Sequence, residues 1–521
     1  MTATPAPHEQ AVRDGASPAG TDEAARAAAT RADLEKRFAG LALPTRIHLD
    51  GQDADAVDGA TFDRVSPRDG TVIARVSAGG EKDIDRAVAS ARRAFESGVW
   101  SGRHPRERRA VLQRLARLIE EHAEELALLE SVDMGKPYTD ALAVDLRVTL
   151  QCLDFYAEAA DKLYDEVAPT APGTLATITR EPLGVVGAVV PWNFPLMMAM
   201  WKIAPALAVG NAVVLKPAEQ SPLTALRVAR LATEAGLPDG ILNVVPGFGP
   251  TAGAALGRHP DVDAITFTGS GEVGRLFLRY AADSNLKQVS LELGGKSPQV
   301  VMPDAPDLRV VARAVAGGVF FNQGEVCSAG SRLLVHRDIK DELLDLVLEE
   351  SRRTVVGDPL DPRTDVGALV ESAHLDRVLG HLRGAAEDGA RRLLGGEQVL
   401  RETGGYYVEP TVFEAGPDMR IAREEVFGPV LSVLSFDDEE DAIALANGTD
   451  YGLAAAVWTR DLSTAHRMSR ALRAGTVWVN CFDESDITVP FGGYGQSGFG
   501  RDKSLHALEK YTQLKSTWIK L

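Results

Sequence analysis

The sequence predicts an α/β protein: a doubly wound, mostly parallel-sheet domain suited to a cofactor, a second α/β lobe for catalysis, and a small β element for oligomerisation. Three observations carry that prediction. Between Leu183 and Leu293 apolar runs alternate with stretches of helical period, and a second alternation runs from Pro306 to about Phe491. Strands buried on both faces read as near-continuous apolar runs, as repeated β–α–β units require. Two further strand-prone segments, Asp165–Arg180 and Tyr511–Leu521, are poorly placed to join either sheet. Edges left unpaired in that way usually pair with another subunit, so a homodimer or homotetramer is expected.

Taken in order, residues 1–40 are rich in Ala, Thr, Pro, Asp and Glu, with one short helical pattern near Glu23–Phe38. Little apolar surface is available there, and a mobile tail is expected. Ile47–Val76 reads as short alternating strands broken by Gly51, Gly59 and Gly70. Lys82–Glu96 and Arg106–Met134 carry apolar residues at helical spacing and should cover the larger domain. Strands are then expected at Gly184–Val190, Ala212–Leu215, Ile241–Val245, Ala264–Thr268 and Gln288–Leu291. Helices fit Met197–Val209, Pro222–Ala235, Thr251–Leu256 and Val273–Ala282 between them. In the second lobe the pattern predicts helices near Leu308–Val319 and Ile339–Arg353, and strands near Val430–Leu434 and Thr476–Asn480. The expected layout is one domain from 41–163 with 184–294, a second over 295–495, and a β element from 164–183 with 496–521.

Composition narrows the function. The 521 residues carry 56 Lys and Arg against 74 Asp and Glu, a net charge of −18, which argues against nucleic-acid binding. The longest apolar runs, such as Leu183–Trp192, are too short for a bilayer core, and no charged-then-apolar leader opens the sequence, so a soluble cytoplasmic protein without a membrane partner is expected. Cys152, Cys327 and Cys481 are too few and too scattered for a disulfide framework or a metal cluster.

In a doubly wound sheet, ligands sit at the carboxyl ends of the strands, so the loops there are informative. They read Pro191-Trp192-Asn193-Phe194-Pro195, Lys216-Pro217-Ala218-Glu219 and Gly269-Ser270-Gly271-Glu272-Val273-Gly274. The last is a literal G-x-G-x-x-G, with Glu292 placed 18 residues beyond Gly274, but it follows the fourth strand rather than the first. It reads either as a dinucleotide turn or as a plain tight turn. Lys216 and Glu219 offer an ammonium for phosphate and a carboxylate for ribose hydroxyls, while the helix beginning near Gly271 presents backbone N–H groups to a phosphate. Cys327 follows a predicted helix in a glycine-flanked loop, Asn322 to Gly330, where a thiol is accessible. Its thiolate is a candidate nucleophile. Cys152 and Cys481 read as small buried residues.

Five motifs occur in one order from about residue 45 to the C-terminus: Pro191–Pro195, Leu291-Glu292-Leu293-Gly294-Gly295-Lys296-Ser297-Pro298, the Asn322–Cys327 loop, Glu424-Glu425-Val426-Phe427-Gly428-Pro429, and Pro490-Phe491-Gly492-Gly493. Together they resemble the aldehyde dehydrogenase superfamily. The ending Gly498–Trp518 is similar to that of bacterial γ-glutamyl-γ-aminobutyraldehyde dehydrogenases of putrescine breakdown.

The resemblance implies oxidation of an aldehyde to a carboxylic acid through a thiohemiacetal and a thioester on Cys327, with NAD as cofactor and NADP possible. It makes Glu292 the base and the Asn193 amide an oxyanion donor, with Lys202 near the chemistry as a catalytic or a structural group. It places Lys216 and Glu219 at the adenosine ribose and Trp192 and Ser270 at the phosphate region, with Gly269, Gly274 and Leu293 also among the cofactor-binding residues. Glu425 and Phe427 fall to the nicotinamide half. A carboxylate at Glu219 favours NAD, since it would repel a 2′-phosphate. The substrate tunnel is implied to be lined by Phe194, Met198, Trp201, Phe321, Asp483 and Phe491, with Asp483, Glu484 and Asp486 forming an acidic mouth that attracts an aminoaldehyde or γ-glutamylaminobutyraldehyde. Betaine aldehyde or a simple aliphatic aldehyde also fits. A CoA-acylating enzyme would need no hydrolytic base, and an inactive relative should have lost Cys327 or Glu292. Asp502 is read either as a group near the nicotinamide or as a solvated helix-start charge. Glu325 and Gly495 depart from the family pattern, which usually has Gln and Lys there.

Overall fold

The computed structural model describes residues 20–521. Its larger sheet has the lateral order Gln52–Ala54, Ile47–Leu49, Leu242–Val244, Ala212–Lys216, Val185–Val189, Ala264–Thr268, Gln288–Glu292, Gly498–Phe499. The five central strands are parallel. In chain order they run third, second, first, fourth, fifth, so the winding reverses between Val185–Val189 and Ala264–Thr268. Loops leaving those two strands diverge and open a crevice at their carboxyl ends.

Every residue of Val185–Val189, Ala212–Lys216 and Ala264–Thr268 is buried, because helices cover both faces. The helix Pro195–Ala208 is buried on all sides, as a helix apolar all round must be. The second sheet has seven strands, in the order Arg391–Leu394, Thr411–Glu414, Val430–Phe436, Arg332–His336, Pro298–Val301, Ala454–Trp458, Thr476–Val479. Only the Arg391–Leu394 edge is antiparallel. Leu308–Phe320 and Lys340–Arg353 pack on one face, and Glu439–Ala446 and Leu462–Ala471 on the other. The chain passes from the first sheet at Glu292 to the second at Pro298 through a short glycine-bearing link, so Glu292 stands where the two sheets meet.

Four expectations change. The tail expected over 1–40 divides: residues 1–19 lie outside the described residues, whereas Gly20–Ala39 is a helix. Its Leu34 is buried with Leu128, Val132 and Leu360, and Arg68 holds both Glu35 and Asp358. Arg106–Met134 is two helices, Pro105–Glu121 and Ala123–Met134, because His122 leaves helical backbone (φ −105°, ψ 17°). The segments expected to have unpaired edges pair with each other: Thr174–Pro182 and Thr512–Lys520 form an antiparallel ladder nine residues long, with Glu166–Ala168 on the other side. Residues 496–511 do not join that ladder. Gly498–Phe499 extends the larger sheet, and Ala507, Leu508 and Tyr511 lie in its core. Among the described residues no helix is long and apolar enough to cross a membrane.

Helix Gly20–Ala39 is held by buried Ala27 and Leu34, by Phe38, and by the ion pairs Arg68–Glu35 and Arg37–Glu124. Leu34→Ala should remove about 2–4 kcal/mol from this packing. Hydrogen exchange is then expected to accelerate across Gly20–Ala39 while the amides of Val185–Val189 stay protected, and unchanged protection in the helix would refute this account.

Candidate active site

The helix Leu308–Phe320 ends in a tight turn, Phe321–Gly324, in which Asn322 and Gln323 have φ of 49° and 59°. Side chains do not favour that left-handed backbone, and here bonds hold it in place. The Asn322 amide donates to the Asn193 carbonyl at 3.0 Å and to the Glu325 carbonyl at 3.3 Å. The Asn193 amide donates to the same Glu325 carbonyl at 2.7 Å. The loop leaving the first sheet is thereby clasped to the loop that carries Cys327. Gly324 is irreplaceable by geometry, since its φ is 71° and a Cβ would lie 2.2 Å from the Gly428 carbonyl oxygen.

Cys327 is partly exposed, and its thiol is pushed up to about 12 by burial, then by the negative charges of Glu425, Glu292 and Asp483. Glu292 is buried, and neither of its carboxyl oxygens has a hydrogen-bond partner among the described residues. Burial drives its acid well above the usual range and Asp502 adds to this, against the opposing charges of Lys202, Lys510 and Arg501. A Cβ at Gly492 would come within 2.7 Å of Glu292 Oε1, so glycine there leaves room for the carboxyl.

Lys202 is wholly buried and donates to Asp502 Oδ2, while Lys510 donates to Oδ1. Burial alone would raise the Asp502 carboxyl, but the two ammoniums override it and hold it below its ordinary value. The reading of Asp502 as a solvated charge is therefore corrected, and Lys202 appears as its buried partner. The Asp502 backbone also pairs with Phe491 in both directions at 2.8 Å. Cys152 is fully buried, as expected, but Cys481 is partly exposed.

Around the crevice, Lys216 and Glu219 form a 2.7 Å ion pair. Ser270 caps the helix Gly271–Ala282 by accepting the Val273 N–H at 3.3 Å. Gly274 lies where a Cβ would be 2.8 Å from Leu293, so that glycine permits close packing of helix and strand exit. On the opposite lobe, Glu425 accepts the Gly295 N–H at 3.0 Å and is raised to about 7 by burial, against that bond and Lys296. Phe427, at φ 58°, packs edge-on to Trp192 with centroids 5.3 Å apart. His374, which sequence reasoning missed, bonds the Phe427 carbonyl at 2.7 Å and packs against Trp192 with ring centres 5.1 Å apart and planes tilted by 60°. Burial lowers it to about 4, so at neutral pH it is uncharged and its Nε2–H donates. The Glu325 carboxyl accepts the Val370 N–H at 3.1 Å and the Gln323 amide at 3.3 Å. Gly495 adopts φ 58°.

The expected tunnel residues pair as Phe194 with Phe321, 6.2 Å apart, and Trp201 with Phe491, 5.5 Å apart; Met198 is buried beside them. Asp483 rises to about 6 through burial and Glu484, with Lys503 opposing. The mouth is thus not purely acidic: Lys503, absent from the sequence reading, is buried against it. Its signal was hidden in a run of alternating charges, Arg501-Asp502-Lys503.

The family model for aldehyde dehydrogenases matches residues 54–517. This chain belongs to the aldehyde dehydrogenase family. It is 52% identical over 482 residues to the NADP/NAD-dependent aldehyde dehydrogenase PuuC of Escherichia coli (strain K12), covering 92% of this chain and 97% of that protein. The solved γ-glutamyl-γ-aminobutyraldehyde dehydrogenase of Burkholderia cenocepacia J2315 superposes with a TM-score of 0.93 at 58% identity, over 94% of this chain and 99% of that one. An indole-3-acetaldehyde dehydrogenase complexed with NAD+ gives the same TM-score at 57% identity, with 94% and 99% covered.

Because three carboxylates oppose the thiolate in this aldehyde dehydrogenase, alkylation of Cys327 by iodoacetamide should rise about ten-fold per pH unit from neutral pH upward, with no plateau before about pH 10. Glu425→Gln removes one opposing charge and is expected to speed alkylation at a fixed pH, read by mass spectrometry of the Cys327 peptide. A plateau below pH 8, or slower alkylation in the variant, would contradict the electrostatic account.

Proposed function

We propose that this NAD-dependent aldehyde dehydrogenase works through Cys327 and Glu292, on an aldehyde whose far end carries an amino or γ-glutamylamino group. The observation that carries the mechanism is the clasp between Asn193 and the Cys327 loop beside a carboxyl, Glu292, whose oxygens are unspent.

Glu292 accepts the thiol proton, and the Cys327 sulfur attacks the aldehyde carbon. The carbonyl oxygen becomes an oxyanion. The Asn193 amide gives only one of its two N–H donors to Glu325, so the second is available for that oxyanion alongside the Cys327 backbone N–H. The hydride of the thiohemiacetal carbon would leave to the acceptor that a bound NAD supplies. Lys216 and Glu219 would hold its adenosine ribose, the capped helix start at Ser270 with Trp192 its phosphates, and Glu425 with Phe427 its nicotinamide half. The placement of Trp192, Lys216, Glu219 and Ser270 at the carboxyl ends of strands fits such a group, and Gly269, Gly274 and Leu293 pack the turn closely beside them. Glu292 releases the thiol proton to solvent and then takes a proton from water, the hydroxide adds to the thioester carbon, and the C–S bond breaks to release a carboxylic acid and the Cys327 thiolate, which recovers its proton from Glu292. An unpaired carboxyl supports hydrolysis rather than transfer to CoA. Lys202 acts as a positioning residue, holding Asp502 and through its backbone Phe491.

The name of the Burkholderia enzyme and the charged mouth support an aminoaldehyde or γ-glutamylaminobutyraldehyde substrate. The aromatic walls favour a second reading, a broader aliphatic or aromatic range, and an aldehyde panel with NAD and NADP separates the two. For assembly, Val167, Leu514 and Trp518 stand exposed on the three-stranded sheet, which supports a homodimer or homotetramer joined there.

Cys327→Ala should abolish oxidation of every aldehyde while NAD affinity stays within a few-fold. Turnover above about a percent would mean that another nucleophile operates. Glu292→Gln is expected to release one burst of reduced cofactor per active site and then stall with the thioester in place; loss of the burst as well would assign Glu292 mainly to thiol activation. Light scattering at micromolar concentration should show dimers or tetramers, and removal of Tyr511–Leu521 smaller or insoluble species. A monomeric wild type would rule this assembly out.

A further inference from the structure

Lys503 is almost fully buried, yet among the described residues its ammonium bonds only one side chain, the Ser485 hydroxyl at 2.6 Å. No carboxylate among the described residues closes a contact ion pair with it, although Asp483 and Asp486 are near enough to act on it. An ammonium has three donors, and a buried one normally finds an anion. The backbone is bent to place this one. Lys503 and Ser504 have φ of 62° and 52°, and their turn is held by the Ser504 N–H on the Ile487 carbonyl at 2.7 Å and by the Tyr156 hydroxyl on the Ser504 carbonyl at 3.0 Å. The ammonium ends 5.6 Å from the centre of the Trp201 ring. Trp201 Nε1 is itself buried without a partner among the described residues. Two unspent donors thus stand beside the tunnel wall, next to Asp483.

We propose that Lys503, with Ser485 and Trp201 Nε1, is a specificity-determining group that receives a carboxylate at the far end of the aldehyde while Asp483 receives an ammonium, and so sets the preference for the γ-glutamyl end named above over a plain amine. This rests on the reading of Cys327 and the surrounding tunnel given above. Both charges of such a head meet their opposites in a partly dry site, where an ammonium alone would meet repulsion from Lys503 and a carboxylate alone repulsion from Asp483.

The test compares kcat/KM with NAD for γ-glutamyl-γ-aminobutyraldehyde, 3-aminopropionaldehyde and hexanal in the wild type, Lys503→Met and Lys503→Arg. In Lys503→Met the preference for the γ-glutamyl aldehyde over hexanal should fall about ten-fold or more, carried by KM, with part of it restored in Lys503→Arg. The preference for 3-aminopropionaldehyde over hexanal should not fall. Parallel loss on all three aldehydes, or an unchanged ratio, would overturn the proposal and leave Lys503 as a prop for its loop. If Lys503→Met fails to fold, the wild type still decides: γ-glutamylethylamide should inhibit competitively about ten-fold better than its methyl ester, and equal inhibition overturns the assignment. A wild type that oxidises none of the three with NAD would overturn the underlying reading instead.

Discussion

The clasp of amide groups between the two lobes is the constraint on which the site depends. Asn193 and Asn322 exchange contacts with each other's loops and share the Glu325 carbonyl as acceptor. Neither loop holds its shape alone: one leaves a strand of the first sheet, and the other contains two consecutive residues in left-handed backbone. Buried amides must find partners, so each loop satisfies the other and the thiol is set beside the first sheet's strand ends. Loss of the Asn322 amide would take from the Asn193 carbonyl its bond across the lobes, and loss of the Asn193 amide would leave the Glu325 carbonyl only its longer bond, so the arrangement resists small displacements.

Buried charge does the same work on a larger scale. The helix Ala123–Met134 sends Glu130 to the Leu196 N–H at 3.3 Å and Asp133 to the Leu223 N–H at 3.0 Å. Those amides lie at the starts of the helices that follow the first two strands of the winding, where a carboxylate meets the positive end of the helix dipole. Lys136 bonds Asp145 at 2.6 Å, lies 3.7 Å from Glu130 and stands 4.0 Å over the Phe194 ring. With Lys202, Asp502 and Lys510 on the other side, the tunnel is flanked by charges that cannot move without leaving an ion unpaired. Such networks add little net stability but strongly penalise a broken pair, and so favour one geometry.

Much of the fold was legible because its evidence is local. The five parallel strands of the first sheet match their apolar runs to within a residue or two, and the helix Leu308–Phe320 begins one residue after its Asp307 cap. Errors arose where a distant partner decides. Residues 20–39 are too polar to read as packed, yet one face carries Leu34 onto Leu128 and Val132. Thr174–Pro182 and Thr512–Lys520 each look like an unpaired edge because the partner of each is more than three hundred residues away.

The candidate site divides in the same way. Sequence by itself determined the residue types and their order: a cysteine in a glycine-flanked loop, a glutamate at a strand exit, and an Asn and a Lys-x-x-Glu at the ends of neighbouring strands, because each needs only its own segment to be recognised. Tertiary structure decided which charges meet. That Asp502 is buried between Lys202 and Lys510, that His374 supports Phe427 and Trp192, and that Lys503 stands in an otherwise acidic mouth all depend on segments far apart in the chain. Burial and pairing belong to the packed chain, since a side chain's desolvation is set by neighbours that its local sequence does not contain.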